Sequence, residues 1–140
     1  HVTGVIGCAM LGLEDLGSGS PDDLAYRRPV PLLGEGRALA PCVTAMMDVS
    51  DGLLLDAWRM AMASGRAFAL DSAAIPVADP ARAAEVMRWG DDYQLLFTAP
   101  PGRTLPVPAT RIGRVADGPP ALLLDGETLT PDDGIGYRHG

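Results

Sequence analysis

Hydrophobic and polar positions along the chain switch between two periods, and each switch marks an element. Val2 to Ile6 is a short apolar run bounded by Gly7, the pattern of a strand. Met10, Leu11, Leu13 and Leu16 then fall at roughly helical spacing, which predicts a helix from Cys8 to Leu16, stopped by the Gly-Ser run at 17–20. Pro21 with Asp22 and Asp23 starts a second helix, because proline tolerates the first turn and carboxylates suit its positive end. The Arg28, Pro29, Val30, Pro31 segment ends it. Leu32 to Ala40 reads as a third helix, weakened by Gly34 and Gly36.

The best-defined unit is central. Cys42 to Met47 predicts a strand buried on both faces, and Asp48 follows it. Ser50 stands at the expected N-cap position. Leu53, Leu54, Ala57, Trp58, Ala61 and Met62 then form the stripe of an amphipathic helix that Ser64 and Gly65 terminate. Arg66 to Leu70 reads as a strand, Pro80 to about Trp89 as a helix, and Tyr93 to Thr98 as a strand. Arg111 to Val115 and Ala121 to Leu124 complete the strands, with a turn at Asp125-Gly126. Strands alternating with helices predict an α/β domain with covered sheet faces.

Composition narrows the class. One hundred and forty residues, 47% of them hydrophobic, fit one globular domain over 1–140. The net charge of −7 and the lack of a basic cluster argue against nucleic acid as a partner. All eleven basic residues are arginine, so no Walker A, Schiff-base or general-base lysine is available, and phosphate chemistry would need metal, arginine or backbone amides. The only histidines are His1 and His139, which removes mechanisms built on an internal histidine. Cys8 and Cys42 are isolated in apolar surroundings and read as buried reduced thiols. No apolar run is long enough for a bilayer span and no signal peptide is evident, so no membrane partner and a cytoplasmic location are expected. A histidine in the first position suggests a tag remnant or a piece of a longer chain.

Candidate chemistry concentrates in DVSDGLLLD, residues 48–56. Asp48 and Asp51 flank a strand-to-helix junction, and in open α/β sheets ligands gather at the carboxyl ends of strands. Two carboxylates there suit a hard cation such as Mg²⁺, while Gly52 and the helix N-terminus offer amides to a phosphate. The plainer alternative is that Ser50 or Asp51 caps the helix. Asp91 and Asp92 before the strand at Tyr93 read either as a substrate-binding turn or as a solvated helix end. Arg27 and Arg28 could grip phosphate or form a solvated face.

In order, VTGVIGCAMLGL, RRPVP, AMMDVSDGLLLD, WGDDYQLLFT and GIGYRHG resemble the thiamine-monophosphate kinases of the AIR synthase-related superfamily, in their C-terminal domain and over essentially the whole chain. The resemblance implies a three-layer α/β domain with a mixed sheet and flanking helices. It also implies an ATP- and Mg²⁺-dependent transfer of phosphate to thiamine phosphate, in a homodimer whose N-terminal ATP-binding domain is absent here, leaving the isolated chain inactive. Carried over by position, Asp51 is the catalytic and metal-holding aspartate, with Asp48 beside it at the metal. Ser50, Asp92 and Tyr137 are the substrate-binding residues. The pattern departs at Cys8, Leu32, Trp89, Asp91, Gln94 and Gly140, which leaves open a related ATP-dependent enzyme with another small-molecule substrate, or a non-catalytic binding or assembly domain.

Overall fold

The computed structural model describes residues 1–18 and 21–137, so Gly19 and Ser20 of the Gly-Ser run and Arg138, His139 and Gly140 of the tail lie outside the described residues. Among the described residues, five α-helices and six strands follow one another as α1 (Cys8–Glu14), α2 (Pro21–Arg27), α3 (Leu33–Leu39), β1 (Ala45–Asp48), α4 (Leu53–Ser64), β2 (Ala67–Leu70), α5 (Ala83–Val86), β3 (Leu95–Thr98), β4 (Gly113–Ala116), β5 (Ala121–Leu124) and β6 (Glu127–Leu129). The strands form two ladders. β1 and β3 pair antiparallel, and a mixed sheet runs β4-β2-β5-β6 with only β2 and β5 parallel.

Val2 ties β3 to the segment that leads into β4. It bridges Leu96 on one side and Thr110 on the other, with Val2 and Thr110 exchanging backbone hydrogen bonds of 2.9 and 2.8 Å. The apolar run 2–6 is therefore a connector and not the continuous strand its pattern predicts. Gly4 in the left-handed region turns it out of the ladder, and Ile6 bridges Val77 separately.

α4 is the centre of the core. Leu53, Leu54, Ala57 and Ala61 are fully buried among Ile6, Val49, Phe68, Leu122 and Ile135, while Trp58 and Met62 pack against the cluster half-buried. The helix ends at Gly65, whose φ of 63° closes its last turn as the sequence predicts.

Three expected elements differ. β1 is half-buried and not covered on both faces, because it is the edge of a two-stranded ladder and ends on an exposed Asp48. The 80–89 helix is a 3₁₀ turn at Pro80–Arg82 followed by the single-turn α5, and the chain reaches Trp89 through further turns. Residues 93 and 94 lie outside β3, since Tyr93 is left-handed with φ 50°. Neither Cys8 nor Cys42 is in a disulfide, and both are half-buried where buried thiols are expected; Cys42 Sγ lies 3.9 Å from Arg103. Among the described residues, no helix is long and apolar enough to cross a membrane.

Candidate functional site

Backbone hydrogen bonds stitch three distant segments together at the end of β1. Val49 N–H donates to Gln94 O and Tyr93 N–H to Val49 O, both at 2.8 Å, extending the β1–β3 ladder past its last regular pair. Asp91 N–H then donates to Ser50 O at 2.9 Å, and Tyr137 N–H to Asp51 O at 2.8 Å. Residues 49–52, 88–94 and 135–137 thereby converge around the Ser50-Asp51 peptide.

Glycine makes this approach possible. A Cβ on Gly90 would collide with Ser50 O, and one on Gly136 would lie 2.5 Å from Asp51 O and closer still to Leu55 Cβ. Gly52, at φ 112°, sits with its α-carbon against Arg88 O, where a side chain would meet strain and collision together.

The junction is held by a carboxylate outside the expected set. Asp56, fully buried in α4, accepts from Ser50 N–H at 2.9 Å and Asp51 N–H at 3.0 Å through Oδ2, and from the Arg59 guanidinium at 2.8 Å through Oδ1. Arg59 also pairs with Asp51 Oδ2. Burial raises the Asp56 carboxyl above the usual range, opposed by those amides and by Arg59. The helix N-cap is Gly52 with no side-chain cap, so neither Ser50 nor Asp51 is a capping residue; Asp56 reaches back and satisfies their amides instead.

The converging segments enclose an open cleft of about 680 Å³ lined by Ser50, Asp51, Arg88, Trp89, Gly90, Asp91, Tyr93, Gly136 and Tyr137. Its polar and aromatic groups face one another across a short span. Tyr93 OH donates to Asp91 Oδ1 at 3.2 Å, and its hydroxyl is held above its ordinary range by desolvation first and then by Asp91, Asp48 and Asp51. Asp91 and Tyr93 are both left-handed, at φ 66° and 50°, an arrangement that costs on the order of 1–3 kcal/mol per residue and persists only where surrounding contacts impose it.

Those two positive φ angles turn Asp92 away from its neighbours. Its carboxylate faces α1 and accepts from Gly7 N–H at 2.7 Å and Ala9 N–H at 3.2 Å, and it does not line the cleft. Ser50, Asp51 and Tyr137 are brought together; Asp92 is a buried tie between the 90–93 turn and α1. Asp48 stands exposed at the end of β1, outside the cleft lining. The Arg27 guanidinium is spent on Asp23 at 3.3 Å within α2.

Burial, more than any charge, pushes the Asp92 carboxyl up to about 6 from an unfolded value of 3.8. Between those values the native state holds a proton that the unfolded chain releases, so stability falls as pH rises through this window, by up to ~3 kcal/mol for the full shift. Urea denaturation at pH 4, 5, 6 and 7 should show the wild-type advantage over Asp92→Asn shrinking by that amount. A constant offset between the two would show that Asp92 does not titrate there.

No family model matches the chain. Curated relatives do. The thiamine-monophosphate kinase of Halobacterium salinarum is 34% identical over 154 residues, which cover 99% of this chain and 51% of the relative. That of Mycobacterium tuberculosis is 36% identical over 147 residues, 92% of this chain and 43% of the relative. Among solved structures, thiamine-monophosphate kinase from Stenotrophomonas maltophilia superposes with a TM-score of 0.78 at 31% identity, covering 91% of this chain and 50% of that one. AaThiL complexed with AMPPCP and TMP gives 0.78 at 30% identity, covering 93% and 48%.

The chain matches the C-terminal domain of thiamine-monophosphate kinase. It spans about half the length of the curated relatives it matches. Within this kinase-type domain, Mg²⁺ is the group the family implies, and the donors here fit part of its shell. Asp51 and Asp48 offer hard oxygen donors near one strand end, both acting on Tyr93, but one Asp51 oxygen is already engaged by Arg59. Among the described residues no three His, Cys, Asp or Glu side chains cluster tightly enough to hold a metal. A cation at this edge would have to complete its shell with phosphate oxygens, water or ligands from elsewhere, as Mg²⁺ commonly does.

Asp56 and Arg59 escaped the sequence reading. Their signal was present as an aspartate set among the buried leucines of DGLLLD, three residues before an arginine, since a charge on a buried helix face requires a partner.

Proposed function

We propose that this chain is the thiamine-phosphate side of an ATP-dependent kinase that converts ATP and thiamine phosphate to ADP and thiamine diphosphate. The observation that carries this reading is the cleft at the Ser50-Asp51 junction, where aromatic rings, carboxylates and Arg88 surround a space large enough for a small phosphorylated heterocycle. The names of the relatives, and the AMPPCP and TMP bound by AaThiL, support the same chemistry. The nucleotide is held mainly by a domain outside residues 1–140, and the complete enzyme is a homodimer.

Phosphoryl transfer needs positioning and charge neutralisation more than covalent catalysis, which suits a chain without lysine. The Ser50 hydroxyl faces the substrate phosphate, on a peptide whose own amides are held by Asp56. Tyr137, exposed and fixed through its own N–H, borders the heterocycle. Asp51 and Asp48 hold Mg²⁺, which when bound offsets phosphate charge. Arg59 keeps the Asp51 carboxylate oriented, and Asp56 keeps the Ser50-Asp51 peptide in place. Asp92 acts at one remove, by fixing the turn that carries Asp91 and Tyr93.

Calorimetric titration of the chain with thiamine phosphate in Mg²⁺ tests this. Saturable binding is expected, weakened at least about tenfold (~1.4 kcal/mol) in Asp51→Asn. No heat with thiamine phosphate, from a chain whose circular dichroism confirms folding, would overturn the reading.

A further inference from the structure

The cleft lining contains a tryptophan that the proposed phosphate and metal contacts leave unused. Trp89 is half-buried, packs against the hydrophobic core and lines the cleft. Its backbone is fixed by N–H bonds to Glu85 O and Val86 O at 3.1 and 3.2 Å, and Gly90, immediately after it, is pressed against Ser50 O. The indole is thus anchored at one residue's remove from the Ser50-Asp51 end. Tyr93 and Tyr137 line the same space with Asp51 and Asp91, and Arg88, whose guanidinium donates to Ala84 O, is the one cationic residue in the lining. Two carboxylates and three aromatic residues favour a flat cation, while the Ser50 hydroxyl and Arg88 favour an anionic end.

We propose that Trp89 is a specificity-determining wall of the cleft that stacks on a cationic heteroaromatic ring, so that the site selects a zwitterion with such a ring at one end and a phosphate ester at the other. This rests on the thiamine-phosphate reading and adds to it the residue that recognises the ring. Tryptophan is the strongest aromatic partner for a cation, and a partly desolvated face such as this one contributes about tenfold in affinity.

The chain has two tryptophans, and Trp58 lies on α4 outside the cleft lining. Trp58→Phe therefore leaves Trp89 as the single indole reporter. Titration of that variant is expected to show saturable quenching of tryptophan fluorescence by thiamine phosphate and by thiamine, and none by inorganic phosphate. Trp89→Gly should bind thiamine phosphate about tenfold more weakly by calorimetry, with Trp89→Phe recovering part of the loss. Calorimetric binding of thiamine phosphate without quenching, at equal affinity in Trp89→Gly, would overturn the role of Trp89 and leave the proposed function standing. Absence of any binding by the folded chain would overturn both.

Discussion

Asp56→Ala should lower the unfolding free energy by about 3 kcal/mol, and the melting temperature by roughly 10 °C for a domain of this size. The substitution deletes one acceptor that serves three donors: the amides of Ser50 and Asp51 and the guanidinium of Arg59. The cost comes less from a lost bond than from what remains. Two partly buried N–H groups face an apolar methyl, with no capping side chain to replace the carboxylate. Asp56→Asn should lose about half as much, because its amide oxygen still accepts from one side while its NH₂ faces a donor on the other. Thermal and urea melts of the three proteins give the ranking. A loss below about 1 kcal/mol in the alanine variant would mean that water reaches those amides and that the carboxylate is not the clamp described here.

Gly90→Ala is expected to cost about 2–3 kcal/mol and to abolish measurable ligand binding. The residue's φ is ordinary, so the effect comes from collision and not from backbone preference. A single methyl would strike Ser50 O, an atom held by Asp91 N–H, and the 88–93 turn would have to move away from the Ser50-Asp51 peptide to make room. That displacement carries Trp89, Asp91 and Tyr93 with it. Gly34→Ala is the control: its added methyl meets open space within α3, and stability should be unchanged or slightly raised. Equal melting temperatures for wild type and Gly90→Ala would refute the close approach.

The legible parts of this molecule were those governed by local chemistry. Apolar spacing placed α4 and its Gly65 stop, β5 matched its predicted bounds, and Asp125-Gly126, both at positive φ, formed the turn between β5 and β6. The Ser50-Asp51 junction was legible as a place, since strand, carboxylates, glycine and helix follow in order. Its internal wiring was not. Asp92 and Asp91 look alike in sequence, and only the left-handed backbone at residues 91 and 93 sends one toward α1 and the other to the cleft. Likewise, the role of Gly136 depends on where Leu55 lies after folding, which no local pattern states. β6 went unpredicted because three residues carry too little periodicity.

The short connector at the start of the described chain bears on how the molecule assembles. Val2 meets Leu96 and Thr110, partners 94 and 108 positions away along the chain. Contacts of that separation carry the largest loop-closure entropy in the fold, and they are rewarded only when both ladders already exist to receive them. The union of the two ladders therefore belongs to the last stage of folding. Until that step, the edge of β3 away from β1 remains open, which makes it the interval in which a newly made chain is most exposed to pairing with another.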